Sequence, residues 1–136
     1  MAGVTVKDLI PSSPEKVWRI VGDVAGISKW VPALEHSESH DNGHTRTCRL
    51  GNGMGEITEQ VVSRDEKNRS YSYVITGGSL PMKDYMGTIV VQDAGQGQSK
   101  VLWACGFNVD GPAAEAEGMI QQVFSEGLAN LKKMVK

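Results

Sequence analysis

The turn Gly51-Asn52-Gly53-Met54 constrains this chain more than any other feature, because it sets a strand register and with it the place of two opposite charges. Glycine and asparagine tolerate the left-handed backbone that a tight reversal needs. If Leu50 and Gly55 close the turn, an antiparallel ladder follows in which Cys48 lies opposite Ile57 and Arg46 opposite Glu59. Side chains alternate along a strand, so Arg46, Cys48 and Leu50 share one face with Ile57, Glu59 and Val61. That face is the apolar one and is predicted to be buried. A buried charge costs several kcal/mol unless it is paired and hydrogen-bonded. Arg46 and Glu59 are therefore expected to pair, within reach of anything bound beside them.

The length of 136 residues predicts one domain, large enough for a core without disulfides or metal. A formal net charge of -2, with Lys and Arg scattered, argues against a nucleic-acid surface. The start Met-Ala-Gly-Val-Thr-Val-Lys-Asp carries no signal-peptide pattern, and no apolar run approaches the ~20 residues of a membrane span. Cys48 and Cys105 each sit singly in a predicted strand and read as reduced thiols of a cytoplasmic protein.

Residues 4–10 read as a strand ended by Pro11. Ser13-Pro14-Glu15-Lys16 is a helix start: Ser13 caps, Pro14 suits the first turn and Glu15 suits the positive end of the dipole. The spacing of Val17, Val21 and Val24 continues that helix until Gly22 to Gly26 interrupts it. A second short turn then runs to Trp30 before Pro32. From residue 34 to 108 every signal is of strands and turns. Turn residues at 41–43, 51–53, 65–69 and 94–97, and a longer loop at 77–82, mark consecutive hairpins and hence an antiparallel meander. Tyr73 opposite Val61 keeps the apolar faces in register.

Pro112 opens a long final helix. Ala116, Met119, Ile120, Val123, Phe124, Leu128, Leu131 and Val135 form its apolar stripe, while Glu115 and Glu117 at one end and Lys132, Lys133 and Lys136 at the other complement its dipole. Gly118 and Gly127 each cost roughly 1 kcal/mol relative to Ala, a cost that close approach to the sheet or room for a ligand would offset. A curved sheet wrapped around one helix leaves a cavity between them.

This order of strand, two short helices, meander and long helix resembles the helix-grip fold of the START-like (SRPBCC) superfamily. Ser13-Pro14-Glu15-Lys16-Val17-Trp18, Asp23 and Trp30-Val31-Pro32 look like the N-terminal motif of its polyketide cyclase/dehydrase and lipid-transport branch. Arg46, Glu59-Gln60-Val61-Val62, Asp65, Tyr71-Ser72-Tyr73 and Leu80-Pro81-Met82-Lys83-Asp84-Tyr85 look like its middle section. The resemblance covers nearly the whole chain, residues 1–136 as one domain, and implies an α+β fold with a curved antiparallel sheet gripping the C-terminal helix. It also implies a small hydrophobic, polyketide- or lipid-like ligand and no cofactor. Within that branch the plant lachrymatory factor synthases are similar in these motifs. They use an arginine, a glutamate and a tyrosine to move a proton on a small sulfenic acid, which by position in the motif correspond to Arg46, Glu59 and Tyr85. The loop between the first two is shorter here.

Two readings of Arg46 and Glu59 stay open: anion stabilisation with proton transfer, and a cross-strand ion pair that only fixes register. Tyr85 is a phenol donor to a ligand or a satisfied core tyrosine. Cys48, Ile57, Val61, Tyr73, Trp103, Met119, Val123 and Phe124 are expected to line the ligand cavity. Residues 77–82, with Leu80 and Met82, are expected to form a gate or an ordinary surface loop. His36, His40 and His44 fall on a stretch rich in Ser and Glu and read as a solvated edge, with no metal site. Cys48 has no His or CxxC partner and reads as an inert thiol. The chain is accordingly a cofactor-independent cyclase, dehydratase or isomerase, a non-catalytic carrier or sensor, or a partner-binding module, in an oligomeric state that the sequence leaves open.

Overall fold

The 51–54 turn sets the register as expected. The computed structural model describes residues 2–135 and pairs β3 (Thr45–Leu50) with β4 (Glu56–Asp65). Cys48 lies opposite Ile57 and Arg46 opposite Glu59. The Leu50 N–H donates to the Gly55 carbonyl at 2.8 Å. Asn52 and Gly53 turn the chain with φ of 59° and 69°, the left-handed conformation these residue types adopt most readily.

The remaining strands follow by hairpins. β5 (Ser70–Gly78) pairs with β4 with Tyr73 opposite Val61, and β6 (Met82–Gly95) and β7 (Gln98–Val109) complete the meander. β1 (Ala2–Ile10) pairs with β7, and β2 (Leu34–His40) with β3, so the seven-stranded antiparallel sheet runs β1-β7-β6-β5-β4-β3-β2. Between β1 and β2 lie α1 (Pro14–Val21) and a 3-10 helix (Val24–Lys29). The Ser13 hydroxyl accepts from the Lys16 N–H at 3.4 Å, which caps α1.

The expected loop at 77–82 is shorter than read from its glycines. Gly77 and Gly78 extend β5 opposite Thr58 and Ile57, and Met82 already begins β6. Gly78 is required there by its backbone conformation and by a close approach. It has φ of 128°, and a Cβ on it would fall 2.4 Å from the Glu56 carbonyl oxygen.

α2 (Ala113–Met134) packs on β1 and β7 through Ala116, Ile120, Phe124, Gly127, Leu128 and Leu131, all buried. Phe124 stacks on Trp103 of β7 with ring centroids 3.9 Å apart and planes 8° from parallel. The two helix glycines have different surroundings. A Cβ on Gly127 would lie 3.3 Å from Trp30 and 3.4 Å from Trp103 and Val31, so Gly127 permits close approach. Gly118 is exposed, and a Cβ there would meet nothing within 4 Å. Lys132 and Lys133 stand in the last turn of α2, whereas Lys136 lies outside the described residues. The whole is the helix-grip architecture: a meander wrapped over one long helix.

The contrast between the glycines is measurable. Gly118→Ala should stabilise the protein by ~0.5–1 kcal/mol, the helix-propensity gain at an exposed site. Gly127→Leu should destabilise it by ~1–3 kcal/mol through overpacking against the two indoles. Urea denaturation of both variants checks the opposite signs.

Candidate functional site

Between the inner face of the sheet and α2 lies a cavity of about 580 Å³. Ile57, Tyr73, Ile75, Tyr85 and Trp103 wall it from the sheet, and Met119, Ile120, Val123 and Phe124 from the helix. Ile27, Val31 and Leu34 close one side, and Leu80 and Met82 stand by the 79–81 turn. The lining is chiefly apolar, with a few polar groups set into it, as in most small-molecule sites.

Glu59 is the interior carboxylate of that wall. Arg46, directly opposite it on β3, is fully buried at 0% exposure, and Glu59 is 5% exposed. The Arg46 Nε–H donates to Glu59 Oε1 at 2.7 Å, and Nη2 lies 2.7 Å from the same oxygen in an ion pair whose geometry falls short of a second hydrogen bond. Nη1 donates to the Tyr71 hydroxyl at 3.0 Å and to the Val24 carbonyl at 3.2 Å. The Cys48 thiol also points to Oε1, at 3.9 Å. Among the described residues the hydrogen bonds to this carboxylate thus fall on Oε1, as does the 2.7 Å ion-pair contact, and Oε2 takes no hydrogen bond.

A second polar element crosses the sheet face. The Trp103 Nε1–H donates to the Tyr73 hydroxyl at 3.0 Å, and the Tyr73 and Tyr85 hydroxyls lie 3.2 Å apart. Gly87, opposite Tyr73 on β6, makes this possible: a Cβ there would lie 2.5 Å from the Tyr73 ring. The sequence signal for that orientation was a glycine inside a strand, which marks close approach.

Burial sets the ionisation of the site. It is the largest influence on Glu59 and raises its carboxyl above the ordinary 4.5, against the opposite pull of Arg46. Burial also opposes the Arg46 charge, but the contacts with Tyr71 and Glu59 outweigh it and the guanidinium stays protonated. The Cys48 thiol is pushed up to about 12, by burial first and then by the Glu59 charge, so it is protonated and inert at neutral pH. Tyr73 and Tyr85 are both raised, chiefly by burial, and stay protonated phenols able to donate.

The structure brings Glu59, Tyr85, Ile57, Tyr73, Trp103, Met119, Val123 and Phe124 onto one cavity. Arg46, Cys48 and Val61 do not line it. Strand alternation puts all three on the inner face, but it says nothing of depth. Arg46 and Cys48 sit behind the Glu59 carboxylate, and Val61, next to a register shift in β4, lines a separate cleft of about 570 Å³ with Val24, His44 and Arg64. Arg46 spans the two spaces, since Glu59 lines the first and Val24 the second. Wall residues that patterning missed include Glu35, Gln122 and Glu126. The last two flank the apolar stripe of α2 at i, i+4 spacing, and the Gln122 side-chain N–H donates to Glu126 at 3.0 Å.

His36, His40 and His44 are exposed. Among the described residues no three His, Cys, Asp or Glu side chains group as metal ligands, and no helix is long and apolar enough to cross a membrane.

A family model described as polyketide cyclase / dehydrase and lipid transport matches residues 1–136. The structure is similar to that of the protein XoxI from Bacillus cereus, at 28% identity over 99% of this chain and 96% of that one, with a TM-score of 0.94. It is also similar to a START superfamily protein from Mycobacterium smegmatis, at 13% identity over 98% and 96% of the two chains, with a TM-score of 0.82. Norcoclaurine synthase from Thalictrum flavum superposes with a TM-score of 0.77 at 17% identity, over 98% of this chain and 93% of that one. The two more distant likenesses bear on fold alone.

The buried pair yields two measurements. Arg46→Ala and Glu59→Ala should each cost ~3–5 kcal/mol, because each strands the other charge. The double variant should cost clearly less than their sum. Glu59→Gln should cost less than Glu59→Ala, since the amide keeps an acceptor for the guanidinium. The pH dependence carries a definite sign. A carboxyl whose folded value is raised contributes stability that is fully present below its ordinary 4.5 and is lost as pH rises through the folded value. The stability of the native protein relative to Glu59→Gln should therefore fall as pH rises from ~4 toward 8. Denaturant melts across that range check it.

Proposed function

Because the chain belongs to the polyketide cyclase / dehydrase and lipid transport family, whose members imply hydrophobic ligand binding, we propose that its cavity binds a small, largely apolar molecule and performs acid–base chemistry on it. The observation that carries this reading is the state of Glu59. Glu59 lines an apolar cavity with Oε1 held by Arg46 and Oε2 without a hydrogen bond from the described residues.

Glu59 Oε2 accepts a proton from the ligand, and the same carboxyl returns it at a second atom, or gives it to a departing hydroxyl. An isomerisation or cyclisation by this route balances with no co-reactant, and a dehydration releases only water. A carboxyl raised by burial is poised nearer neutral pH than a solvated one, which favours transfer in both directions. Arg46 does not line the cavity and acts as a positioning residue: it holds the carboxylate in one orientation. Tyr85 supplies the hydrogen bond to whatever oxygen gains negative charge between the two transfers. Trp103 donates to the Tyr73 hydroxyl, and either of the Tyr73 and Tyr85 hydroxyls can donate to the other, so the Tyr85 proton is available to the ligand when Tyr73 is the donor of that pair. A non-catalytic carrier is the competing reading, supported by the same apolar lining and by the capacity of Arg46 and Glu59 to serve as register alone.

Glu59→Gln separates the two. The amide fills the same space but cannot exchange the proton, so an enzyme should keep its fold and still take up ligand while its turnover at saturating ligand falls by ~100-fold or more. The ligand is to be identified first, by native mass spectrometry of what co-purifies, and its conversion followed by chromatography. Retention of the ligand unchanged by both proteins would leave the carrier.

A further inference from the structure

Among the described residues, those that line the cavity include three carboxylates, Glu35, Glu59 and Glu126, and no Lys, Arg or His. This asymmetry is not what a buried arginine beside the cavity leads one to expect. Arg46 would be the natural anchor for an acidic ligand, yet it is 0% exposed and stands behind Glu59. Both of its contacts to that residue fall on Oε1. Glu59 is the member of the pair that lines the cavity and Arg46 is not, so the pair presents its negative partner to a ligand, and Oε2 takes no hydrogen bond from the described residues. A ligand carboxylate would meet like charge with no cation in reach, at a desolvated site where repulsion is poorly screened.

The rest of the lining offers an anion no compensating charge among the described residues. Tyr73, Tyr85, Trp103 and Phe124 supply its aromatic part, with one face each of Trp103 and Phe124 taken up by their mutual stacking. Of the other carboxylates, Glu35 is neutralised by Arg49, at 2.7 Å on the exposed edge. Among the described residues Glu126 accepts only an uncharged amide donor, from Gln122, and it is exposed, so solvent screens its charge and Glu59 is the carboxylate that sets the sign of the buried wall.

We propose that the cavity takes an apolar molecule bearing a protonated amine, with the ammonium against Glu59 Oε2, and discriminates against carboxylates of the same shape. This rests on the cavity-binding part of the function proposed above and is independent of its chemistry.

Three naphthalene compounds of matched shape test it at pH 7 by isothermal titration: 1-naphthylmethylamine, 1-naphthalenemethanol and 1-naphthoate. The expected order is amine tightest, alcohol intermediate and carboxylate weakest, with about tenfold between successive members. Any other order, including equal affinity for amine and alcohol, overturns this inference while leaving the cavity as a binding site. Binding by none of the three overturns the cavity-binding reading and this inference with it. In Glu59→Gln, shown to be folded by circular dichroism, the Arg46 charge is no longer balanced. The amine should lose its preference and the carboxylate should gain. An undiminished amine preference in that variant would remove Glu59 as the anchor. Should the variant not fold, the order measured on the native protein decides alone.

Discussion

A guanidinium at 0% exposure sets the terms for the middle of this sheet. Such a charge is tolerated only if its donors meet acceptors, and Arg46 finds them on three separate elements: Glu59 on β4, Tyr71 on β5 and the Val24 carbonyl of the 3-10 helix. Its ring neighbours add to this, with the guanidinium carbon 5.7 Å and 5.2 Å from the centroids of Tyr71 and Tyr73. One residue therefore couples the central strands to the segment that crosses between β1 and β2. Apolar packing of similar volume would serve stability as well or better. What an ion pair adds is direction: the bonds from Arg46 decide which oxygen of Glu59 is occupied and which is left to the cavity.

The cavity depends on a second constraint, at the opposite wall. Trp103 is stacked on Phe124 from the helix side and packs against Trp30 with centroids 5.2 Å apart, while its N–H holds the Tyr73 hydroxyl. Gly127 lets the helix come down onto those indoles at one place. Toward its N-terminal half α2 instead presents Met119 and Val123 to open space in the cavity. A helix seated along β1 and β7 by one face, with Met119 and Val123 beside that face bordering the cavity, is what keeps a volume of this size from collapsing into core.

Much of this was legible in the sequence because the evidence was local. The turn at 51–54 sets the β3–β4 register, and a period-two side-chain pattern then assigns faces without any tertiary information. That is why Arg46 opposite Glu59, and Val61 opposite Tyr73, could be read directly. Depth along the shared face could not be read so. Alternation places Arg46, Cys48, Glu59 and Val61 on the same side, but only the wrapping of the sheet and the position of the 3-10 helix decide which of them reaches the cavity. Glu59 does, Arg46 and Cys48 lie behind it, and Val61 opens on the other cleft. The glycines misled for a related reason. Gly77 and Gly78 read as part of a gate or an ordinary surface loop, whereas Gly78 is fixed in a strand by the approach of the Glu56 carbonyl.

The same distinction between face and depth bears on how charge is used. From the sequence, an inward arginine beside a glutamate describes a site of no net charge that could receive either sign of ligand. In three dimensions the two charges are not equivalent, because only one of them borders the cavity. Burial raises the Glu59 carboxyl, so ionising it is costly, and Arg46 lowers that cost through Oε1 alone. A cationic group brought to Oε2 would lower it further, whereas an anionic group would raise it. An ion pair can thus be neutral in total and still select the sign of its ligand, provided that one partner is fully buried behind the other.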